Sequence, residues 1–515
     1  MVLLQEMQFT SIQSSLSLLC LSLFSILILY FIAKKKSLSK STGKLIPSPP
    51  KLPIIGNLHQ LSSLYHQSLY SLSLKYGPIM QFHFGQVPWL IVSSSDMACA
   101  IMRTYDLTFA TRPSAVIADI LRYGDVAFEP YGEDWRQLKK IFTIHLMSTK
   151  KIFSFKTIRE EEVRNLIGNI SSHVSLSNNA PIELSKILFS FMIDVTCRVV
   201  SGKFIMEERR YDMLREVVEE NFRLISRFSI GDLFPSFSWL ERFIGLSRRA
   251  IRNRKKWDLL FEEVIQAHVQ SEEKKKGGDN FVDIILSLKN DPSINPALTM
   301  DHMKGLMADA FAAGIDTTYV TIDWAMSELI KKPDIMKKLQ EEVRRIVKHG
   351  DMVTSEDLNK MDYLKAVIKE TLRLHPPLPL LLPRESMAEC KINGFTIPKG
   401  TKVIINAWAI GREAKSWEAP EEFMPERFIG SQVDYKGNNF QLIPFGAGRR
   451  ICPGILFATA TAELALANMV HHFDWELPSE MTREEFDMSD SPGFSVHRKN
   501  ELELVVKMFT PHITN

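Results

Sequence analysis

The chain of 515 residues predicts a mainly α protein with a small β-sheet. Helical periodicity runs through most of the sequence, and its longest stretch, Thr299–Lys331, would extend about 50 Å at the α-helical rise. A helix of that length must cross the whole domain. Between Glu389 and Ile405 the residues alternate and include the turn pairs Asn393-Gly394 and Lys399-Gly400, which predicts short strands. The β-structure is therefore expected to be a minor element.

Composition limits the function. Apolar residues make up 45% of the chain and include 31 phenylalanines, enough for a large core and an apolar cavity. The net charge of +3 is too even to favour nucleic acid as a partner. The five cysteines are odd in number and show no paired spacing, which excludes a dense disulfide framework and predicts a reducing compartment. They are Cys20, Cys99, Cys197, Cys390 and Cys452.

The N-terminus predicts a membrane anchor. No charged residue lies between Glu6 and Lys34, and residues 16–33 form an apolar run long enough to cross a bilayer. Three lysines, residues 34–36, follow at once, so the positive-inside rule places the start in the lumen and the rest in the cytosol. The alternative is a cleaved signal peptide, but its basic n-region and small-residue cleavage site are missing.

The sequence is accordingly divided into four parts. Residues 1–15 form a lumenal N-terminus, 16–33 a transmembrane anchor helix, 34–57 a basic and Pro-rich hinge, and 58–515 a catalytic domain. Four prolines between Pro47 and Pro53 make the hinge semi-rigid and extended. Such a spacer would fix the tilt of the domain on the bilayer, and an ordinary surface linker would have the same composition.

The most specific motif is Phe445–Gly454, which is Phe-Gly-Ala-Gly-Arg-Arg-Ile-Cys-Pro-Gly. It places Cys452 after a glycine-rich loop and before a helix that Pro453 is expected to open. A thiolate shielded by an aromatic ring and approached by backbone N–H groups suits the axial position of a haem iron. The motif therefore predicts a haem-thiolate oxygenase.

The centre of the long predicted helix is unusual. Residues 312–318 place one glycine and three polar residues in an apolar stretch, and the glycine costs about 1 kcal/mol there. We expect a local opening of the helix that forms a small groove beside the haem. A bend filled by a buried water is the alternative.

A second pair of motifs predicts a buried charge cluster. Glu370 and Arg373 lie three residues apart in a helix that ends at His375, so they share a face. Downstream, Pro425-Glu426-Arg427-Phe428 supplies another arginine. The cluster would fix geometry through bidentate contacts rather than take part in chemistry. A solvated surface bridge is the alternative.

Together these motifs resemble the cytochrome P450 superfamily, and the anchor and hinge are similar to those of the microsomal plant enzymes. The resemblance spans essentially the whole chain. It implies the triangular-prism fold, mainly α with a small β-sheet, and haem b (iron protoporphyrin IX) as the cofactor. Cys452 is then the proximal ligand of the haem iron, and Phe445 is the ring packed beside it.

The resemblance also implies roles for other residues. Asp316 and Thr317 match the catalytic acid–alcohol pair of the distal groove, which would deliver protons to dioxygen. The residues matching the buried structural triad that supports the ligand loop are Glu370, Arg373 and Arg427. The residues matching the family's haem-binding positions are Arg384, Arg450, Trp135 and Lys139. Lys139 stands where arginine is usual, and a lysine cannot form the guanidinium fork.

Family position also indicates the substrate pocket, within residues 109–125, 309–317, 378–382 and 494–495. Its candidate residues are Val116, Ile120, Leu121, Ala313, Leu380, Leu381 and Phe494. They are apolar, which predicts a lipophilic substrate such as a plant terpenoid, alkaloid or phenolic.

By the same resemblance the protein is an O2-dependent monooxygenase of the endoplasmic reticulum membrane, with its domain on the cytosolic face. Electrons would come from NADPH through an NADPH-cytochrome reductase. The basic residues that would contact the reductase, or else form a solvated face, are Arg136, Lys139, Lys140, Lys150 and Lys151. The aromatic-rich segment Phe222–Phe243 is expected either to dip into the bilayer or to pack in the core.

Two other functions remain to be weighed. A haem-thiolate isomerase or dehydratase would need neither outside electrons nor a proton relay, and the intact Asp316-Thr317 pair argues against it. A non-enzymatic haem-binding protein or gas sensor would not need the complete distal motif.

Overall fold

The computed structural model describes residues 45–511 apart from 177–179, 203–206, 271–279, 290, 293 and 295, and it also describes residue 22. The predicted lumenal N-terminus and nearly all of the predicted anchor, residues 16–33, lie outside the described residues. Within the described part of the chain, no helix has both the length and the apolar character needed to cross a bilayer. The anchor therefore stays a prediction.

Helices dominate the described residues, which confirms the predicted fold class. In chain order they are α1 Tyr65–Tyr76, α2 Ser95–Cys99, α3 Val116–Leu121, α4 Glu133–Ile141, α5 Thr149–Ser154, α6 Lys156–Leu176, α7 Leu184–Ser201, α8 Glu208–Ile225, α9 Ile230–Leu233, α10 Gly245–Gln270, α11 Phe281–Lys289, α12 Met300–Lys331, α13 Pro333–Ile346, α14 Asp362–Leu374, α15 Ala407–Ile410 and α16 Ile455–His472.

The strands are short. They are β1 Ile79–Phe84, β2 Val87–Val92, β3 Ile182–Glu183, β4 Arg384–Glu385, β5 Cys390–Ile392, β6 Phe395–Ile397, β7 Lys402–Ile405, β8 Phe473–Glu476 and β9 Glu503–Met508. The strands expected between residues 389 and 405 are present as β5, β6 and β7. The sequence analysis did not assign β1 and β2, which form an antiparallel hairpin.

The largest sheet has the strand order β1-β2-β7-β4. Strand β2 runs parallel to β7, with Ile91 opposite Ile404, and β4 runs antiparallel to β7, with Arg384 opposite Val403. A second sheet has the order β3-β9-β8. Residues 46–392 and 397–511 of the described chain belong to one compact unit, from which Leu45 and residues 393–396 are separate. The sheet fixes Arg384 at the start of β4, which becomes important at the site.

Helix α12 is the central element and has nearly the predicted bounds. Thr299 caps its N-terminus by accepting a hydrogen bond from the backbone N–H of His302. Most residues from Met303 to Ile330 are buried, because α12 packs against α7, α14 and α16. Only a short stretch around Ala313 is exposed, and it faces a cavity.

The predicted local opening of this helix is wrong. Residues 300–331 are α-helical throughout. The hydroxyl of Thr317 donates to the carbonyl oxygen of Ala313 at 2.6 Å, so it finds its partner one turn back within an intact helix. The glycine at 314 thus leaves room on the helix surface without breaking the helix.

Helix α16 also begins later than predicted. Pro453 and Gly454 form a turn, and the helix starts at Ile455 with Gly454 as its N-cap residue. The backbone of Gly454, with φ −88° and ψ 7°, lies outside helical geometry. The turn directs the N–H of Gly454 toward the sulfur of Cys452.

Two helical glycines provide a test of the packing around α12. A methyl group at Gly305 would overlap the carbonyl oxygen of Gly124, whereas one at Gly168 of α6 would meet no atom within 4 Å. We expect Gly305→Ala to lower the free energy of unfolding by about 1–3 kcal/mol because the backbone at 124 must move. Gly168→Ala, the control, should raise it by up to about 1 kcal/mol. Denaturant unfolding followed by circular dichroism measures both, and equal effects would contradict the tight approach.

Candidate functional site

The loop before α16 holds Cys452 in a defined position. Gly446 and Gly448 both have φ +70°, a backbone region that favours glycine. The N–H of Cys452 donates to the carbonyl oxygen of Phe445 at 3.0 Å, which closes the loop. A side chain at Gly448 would overlap the carbonyl oxygen of Met102. The loop therefore needs glycine there for two reasons.

The surroundings of the Cys452 sulfur match those of a metal-bound thiolate. Burial raises the pKa of the thiol, while the N–H of Gly454 and the ammonium group of Lys139 act to lower it. The N–H of Gly454 donates to the sulfur at 3.3 Å. Phe445 packs on one side of the loop, and its ring lies 5.5 Å from that of Tyr435, edge to face. Such neighbours orient a thiolate ligand and tune its basicity.

Cys452 lies at the wall of a large cavity, here called the inner cavity. It encloses about 1460 Å³, open solvent at its mouth included. Helix α12 contributes Ala313, Gly314 and Thr317 to the lining, and α7 contributes Thr196. The lining is mostly apolar, so a large, flat, hydrophobic group could be enclosed there.

Three arginines converge on the inner cavity. Arg112, Arg384 and Arg450 all line it and are all buried. Burial together with repulsion from Arg384 lowers the pKa of Arg450 to about 9, and burial lowers that of Arg384 to about 10. The pKa of Arg112 is also held well below its usual value, first by burial and then by repulsion from Arg450 and Arg384. This crowding of positive charge indicates a place for an anion.

Backbone carbonyl groups hold the arginines in place. Arg450 donates from Nε to Ala110 at 2.6 Å and from Nη2 to Glu129 at 2.6 Å. Arg384 donates to the carbonyl oxygen of Ala447 in the cysteine loop at 2.8 Å. The guanidinium group of Arg450 also lies 3.9 Å from the ring centroid of Trp135. Their geometry is therefore set before any ligand binds.

Trp135 and Lys139 lie on α4, one turn apart. The indole N–H of Trp135 donates to the carbonyl oxygen of Val126 at 3.1 Å. The ammonium group of Lys139 donates to the carbonyl oxygen of Ile451 at 2.6 Å, and burial lowers its pKa to about 8. Both residues line the inner cavity. Lys139 thus points inward to the cysteine loop and does not belong to an exposed basic face.

The other predicted basic contacts differ in exposure. Arg136, Lys140 and Lys150 are exposed, and Lys151 is half-buried. Contact of these residues with a reductase stays a prediction, and Lys139 lies apart from the exposed ones.

The residues around the inner cavity fit a haem. A haem carries two propionate carboxylates that need cations when they leave water, and Arg112, Arg384, Arg450 and Lys139 would supply them. The apolar lining suits the macrocycle, and the sulfur of Cys452 suits its iron. The sequence analysis did not single out Arg112. A buried arginine without a carboxylate at salt-bridge distance among the described residues is the signal that identifies it, and burial is not visible in the sequence.

Asp316 and Thr317 are neighbours that face different ways. Thr317 lines the inner cavity, and Asp316 is not among its lining residues. The carboxylate oxygen Oδ1 of Asp316 lies 3.1 Å from Nε2 of His497, and burial leaves only 5% of the aspartate side chain exposed. The other oxygen, Oδ2, is buried and accepts no hydrogen bond from the described residues. His497 is a polar partner that the sequence analysis missed.

The predicted charge cluster is fully buried. Arg373 donates from Nε to Oε2 of Glu370 at 2.7 Å and from Nη2 to Oε1 at 2.8 Å, and both side chains are completely inaccessible. Arg427 donates to Oε1 at 3.0 Å, and the N–H of Met424 donates to the same oxygen at 2.7 Å. Arg373 also donates to the carbonyl oxygen of Gly411. These contacts join α14 to the segment 411–427, which precedes the cysteine loop.

The predicted pocket residues divide between two cavities. Ala313 lines the inner cavity, Leu380 and Phe494 line a second, outer cavity of about 1210 Å³ that includes open solvent, and Leu381 lines both. Arg112 is also shared, so the two cavities adjoin. The outer cavity is mainly apolar. The pair forms an apolar route toward Cys452.

Helix α3 lies differently from the prediction. Val116, Ile120 and Leu121 are not among the described residues that line either cavity. Ile120 and Leu121 pack on a small apolar cluster that contains Leu224 of α8 and Ala250 of α10. The outer cavity instead contacts Ile117 and Ala118 of this helix, and Ile117 also belongs to the small apolar cluster. The rotation of this helix about its axis decides which side chains face the cavity, and the sequence does not determine that rotation.

The aromatic segment Phe222–Phe243 is packed in the core in one part and exposed in another, and its contact with a bilayer stays a prediction. Phe228 packs against the core cluster around β1 and β2. Phe237, Trp239 and Phe243 are exposed, to as much as 70% for Phe243. The exposed rings follow the short helix α9, whose Leu233 carbonyl oxygen accepts a hydrogen bond from the N–H of Gln86 at 2.9 Å. An exposed aromatic group of this size is unusual on a surface that meets only water.

Comparison with known proteins supports the site. The family model described as Cytochrome P450 matches residues 46–503. Cytochrome P450 736A117 of Prunus mume is 44% identical over 98% of both chains. Norfluorocurarine oxidase of a Strychnos species is 44% identical over 95% of this chain and 98% of its own. Phenylacetaldehyde oxime monooxygenase CYP71AN24 of Prunus mume is also 44% identical, over 98% of both chains.

Solved structures agree with the fold. A zebra fish cytochrome P450 with progesterone has a TM-score of 0.73 at 24% identity, over 86% of this chain and 99% of that chain. A second zebra fish structure, with abiraterone, has a TM-score of 0.72. At this level of identity the likeness concerns the fold.

The buried cluster gives a stability prediction. Glu370→Gln leaves Arg373 and Arg427 buried without a compensating carboxylate, so we expect the free energy of unfolding to fall by about 3–5 kcal/mol. The control is Lys338→Ala, which breaks an exposed ion pair to Glu426 on the surface near the cluster and should have little effect. Denaturant unfolding measures both. A Glu370→Gln protein as stable as the control would contradict the structural role of the cluster.

Proposed function

The chain belongs to the cytochrome P450 family, and we propose that it is a haem-thiolate monooxygenase of plant specialised metabolism. It would insert one oxygen atom of O2 into a small lipophilic substrate with electrons from an NADPH-dependent reductase. The observation that carries this proposal is the sulfur of Cys452, held by a backbone N–H at the wall of an apolar cavity into which four cations point.

Haem in this cavity would supply the reduction of dioxygen and the transfer of one oxygen atom to the substrate. The chain's own residues prepare the surroundings. Gly454 donates to the sulfur of Cys452, which favours its anionic form. Arg112, Arg384 and Arg450 would neutralise the two propionates. The apolar lining keeps bulk water away from the reacting atoms.

Thr317 is placed for proton delivery. Its side chain lines the inner cavity on the side formed by α12, and its hydroxyl donates to Ala313 within the helix. The hydroxyl oxygen still has lone pairs with which it can accept a hydrogen bond from a proton donor in the cavity. Asp316, the next residue, would exchange protons with this position because a carboxylate can be reloaded after each transfer.

The proposed substrate class follows from the side chains that line the inner and outer cavities. The inner and outer cavities are lined mostly by apolar groups, and Leu381 and Ala313 would contact the substrate. Two of the relatives are named norfluorocurarine oxidase and phenylacetaldehyde oxime monooxygenase, and both names are consistent with small organic substrates. We place this chain with a lipophilic terpenoid, alkaloid or phenolic substrate on those grounds.

The proposed location is the endoplasmic reticulum membrane, with the domain in the cytosol. The apolar run at residues 16–33 followed by three lysines supports a single-pass anchor. Exposed Leu52, Ile54 and Ile55 lie in the C-terminal part of the Pro-rich hinge, and Gly56 bridges to Phe84 beside the β1–β2 turn. That turn contacts Leu233, so the exposed aromatic segment and the hinge adjoin the same hairpin. Both apolar groups would then meet the bilayer.

The test of function uses the purified full-length chain with a plant NADPH-cytochrome reductase. We expect NADPH-dependent oxygen uptake and a reduced carbon monoxide complex whose Soret band has the position typical of thiolate ligation. Cys452→Ser should lose both, because a serine does not supply the anionic sulfur. Cys99→Ser, at a half-buried cysteine outside the cavity lining, is the control and should retain them. Thiolate spectra without oxygen uptake would instead favour an isomerase, dehydratase or sensor.

Thr317→Ala tests the proton relay. We expect haem loading and the carbon monoxide spectrum to be unchanged, while a larger share of the electrons from NADPH leaves as hydrogen peroxide. General acid–base groups typically contribute about 10²–10⁴-fold to a rate. Thr317→Ser keeps a hydroxyl and is the matched control, expected to remain close to the parent protein. Equal peroxide yields in both variants and in the parent would exclude the role.

Membrane contact by the aromatic segment is tested in a chain that lacks residues 1–33. We expect this truncated protein to bind lipid vesicles at low salt without detergent, and the double variant Trp239→Ser, Phe243→Ser to bind them less. Phe153→Ser removes an equally exposed ring outside the segment and serves as the control. Vesicle sedimentation measures the bound fraction. A truncated protein that stays in the supernatant would contradict the contact.

A further inference from the structure

The pair of Asp316 and His497 connects solvent to the buried helix behind the inner cavity. Asp316 is 5% exposed, whereas the side chain of His497 is 33% exposed, and the two are joined by a contact of 3.1 Å between Oδ1 and Nε2. Asp316 directly precedes Thr317, which lines the cavity. The histidine thus reaches both water and the carboxylate next to the cavity wall.

The segment around His497 is held firmly against α12. The carbonyl oxygen of Val496 accepts a hydrogen bond from the indole N–H of Trp324 at 3.2 Å. Arg498 donates to the hydroxyl of Ser327 at 3.0 Å. Three successive residues of the segment therefore each contact a different position along one helix. This arrangement keeps the imidazole at Asp316, since a shift of the segment would break all three contacts.

The charges that face His497 come from two places, helix α12 and the segment that carries His497 itself. Asp316, Asp323 and the ring of Tyr319 lie on α12, with the Tyr319 ring centroid 5.7 Å from that of the histidine. Glu501 and Arg498 lie on the same segment as His497. Burial lowers the pKa of His497, but Asp316, Asp323 and Glu501 outweigh burial and raise it above 6.5. The imidazole can therefore be protonated near neutral pH and still lose its proton easily.

A second carboxylate in the cluster is already occupied. Asp323 accepts a hydrogen bond from the hydroxyl of Ser185 at 2.6 Å, and burial raises its pKa to about 6. Asp316, by contrast, has one oxygen on His497 and one that accepts no hydrogen bond from the described residues. Of the two, Asp316 has the free oxygen that a relay needs.

We propose that His497 takes protons from solvent and passes them to Asp316, and that this pair is the route by which protons reach Thr317 and the inner cavity. The proposal rests on the proposed monooxygenase function. In that reaction substrate RH, O2, two electrons and two protons yield ROH and H2O, and the electrons come from NADPH through the reductase. Each proton leaves Nε2 of His497 for Oδ1 of Asp316, and solvent then restores the histidine. His497 is a positioning and relay residue and does not touch the cavity lining.

An arginine or lysine at this position could hold Asp316 equally well. Neither would release its proton near neutral pH, because their ordinary pKa values lie far above it. Imidazole is the side chain that both holds a carboxylate and exchanges protons in this range. The observed geometry would therefore also suit a histidine that only holds Asp316 in position. The experiment must separate this structural role from proton transfer.

The main variant is His497→Gln, whose amide can still donate to Asp316 but cannot relay a proton. Its control is Ser327→Ala, which removes the adjacent contact of Arg498 and loosens the same segment without altering the histidine. The full-length proteins are compared with reductase, NADPH and O2 alone, in H2O and in D2O. The measurements are hydrogen peroxide formed per O2 consumed and the solvent isotope effect on oxygen uptake.

We expect His497→Gln to raise the peroxide yield several-fold and to enlarge the solvent isotope effect, with the reduced carbon monoxide spectrum unchanged. Ser327→Ala should match the parent protein in all three measurements. His497→Gln values equal to those of the parent would overturn the proposal, as would equal changes in both variants, which would mean that only the position of the segment matters. A parent protein that consumes no O2 would instead refute the proposed function.

A second readout does not depend on turnover. Because folding raises the pKa of His497, the contribution of the pair to stability is fully present below pH about 6.5 and is lost as the pH rises through the folded value. A double-mutant cycle with Asp316→Asn and His497→Gln measures this by thermal unfolding. We expect the coupling between the two changes to be larger at pH 6 than at pH 9, because a neutral imidazole keeps only the hydrogen bond to the carboxylate. Equal coupling at both values would show that the histidine carries no exchangeable charge at Asp316.

Discussion

Under the proposed function, the residues around the inner cavity have to keep a sulfur anion available at its apolar wall. Burial raises the pKa of Cys452, so the charge would have to be stabilised locally. The groups that act in this direction are the N–H of Gly454, in the turn before α16, and the inward ammonium group of Lys139. Glycines at 446 and 448 allow the loop to bend closely enough for this.

Positive charge is concentrated around the same cavity at a cost to the isolated chain. Burial lowers the pKa of all three arginines, Arg112, Arg384 and Arg450, and repulsion from neighbouring arginines lowers those of Arg112 and Arg450 as well. Backbone carbonyl groups hold them together with the contact of Arg384 with Asp106 and that of Arg450 with the ring of Trp135. An arrangement of this kind is stable once carboxylates of a ligand lie between the guanidinium groups. The charge cluster of Glu370 differs, since its carboxylate lies directly between two arginines that are bound to it at 2.7 and 3.0 Å. The three arginines are therefore suited to binding an anion, whereas the Glu370 cluster is suited to stabilising the fold.

Helix α12 serves both purposes because its faces differ. Its buried faces form the core, while the exposed stretch at Ala313 and Thr317 faces the cavity without any break in the helix. Asp316 lies off the cavity lining, which is why its charge can be met by a residue near the C-terminus of the chain. The helix thereby separates the protected side of the cavity from a side that water can reach.

The sequence by itself determined the fold class, the family and the residues whose meaning is local. The spacing of Phe445–Gly454 and the three-residue step from Glu370 to Arg373 are short-range patterns, and the bounds of α12 follow from helical periodicity and the proline at position 333. Only the tertiary structure decided which way Lys139 and α3 face, that Arg112 joins the other arginines, and that His497 meets Asp316. Those contacts join residues far apart in the chain or depend on the rotation of a helix by one residue, and neither is encoded in a local pattern.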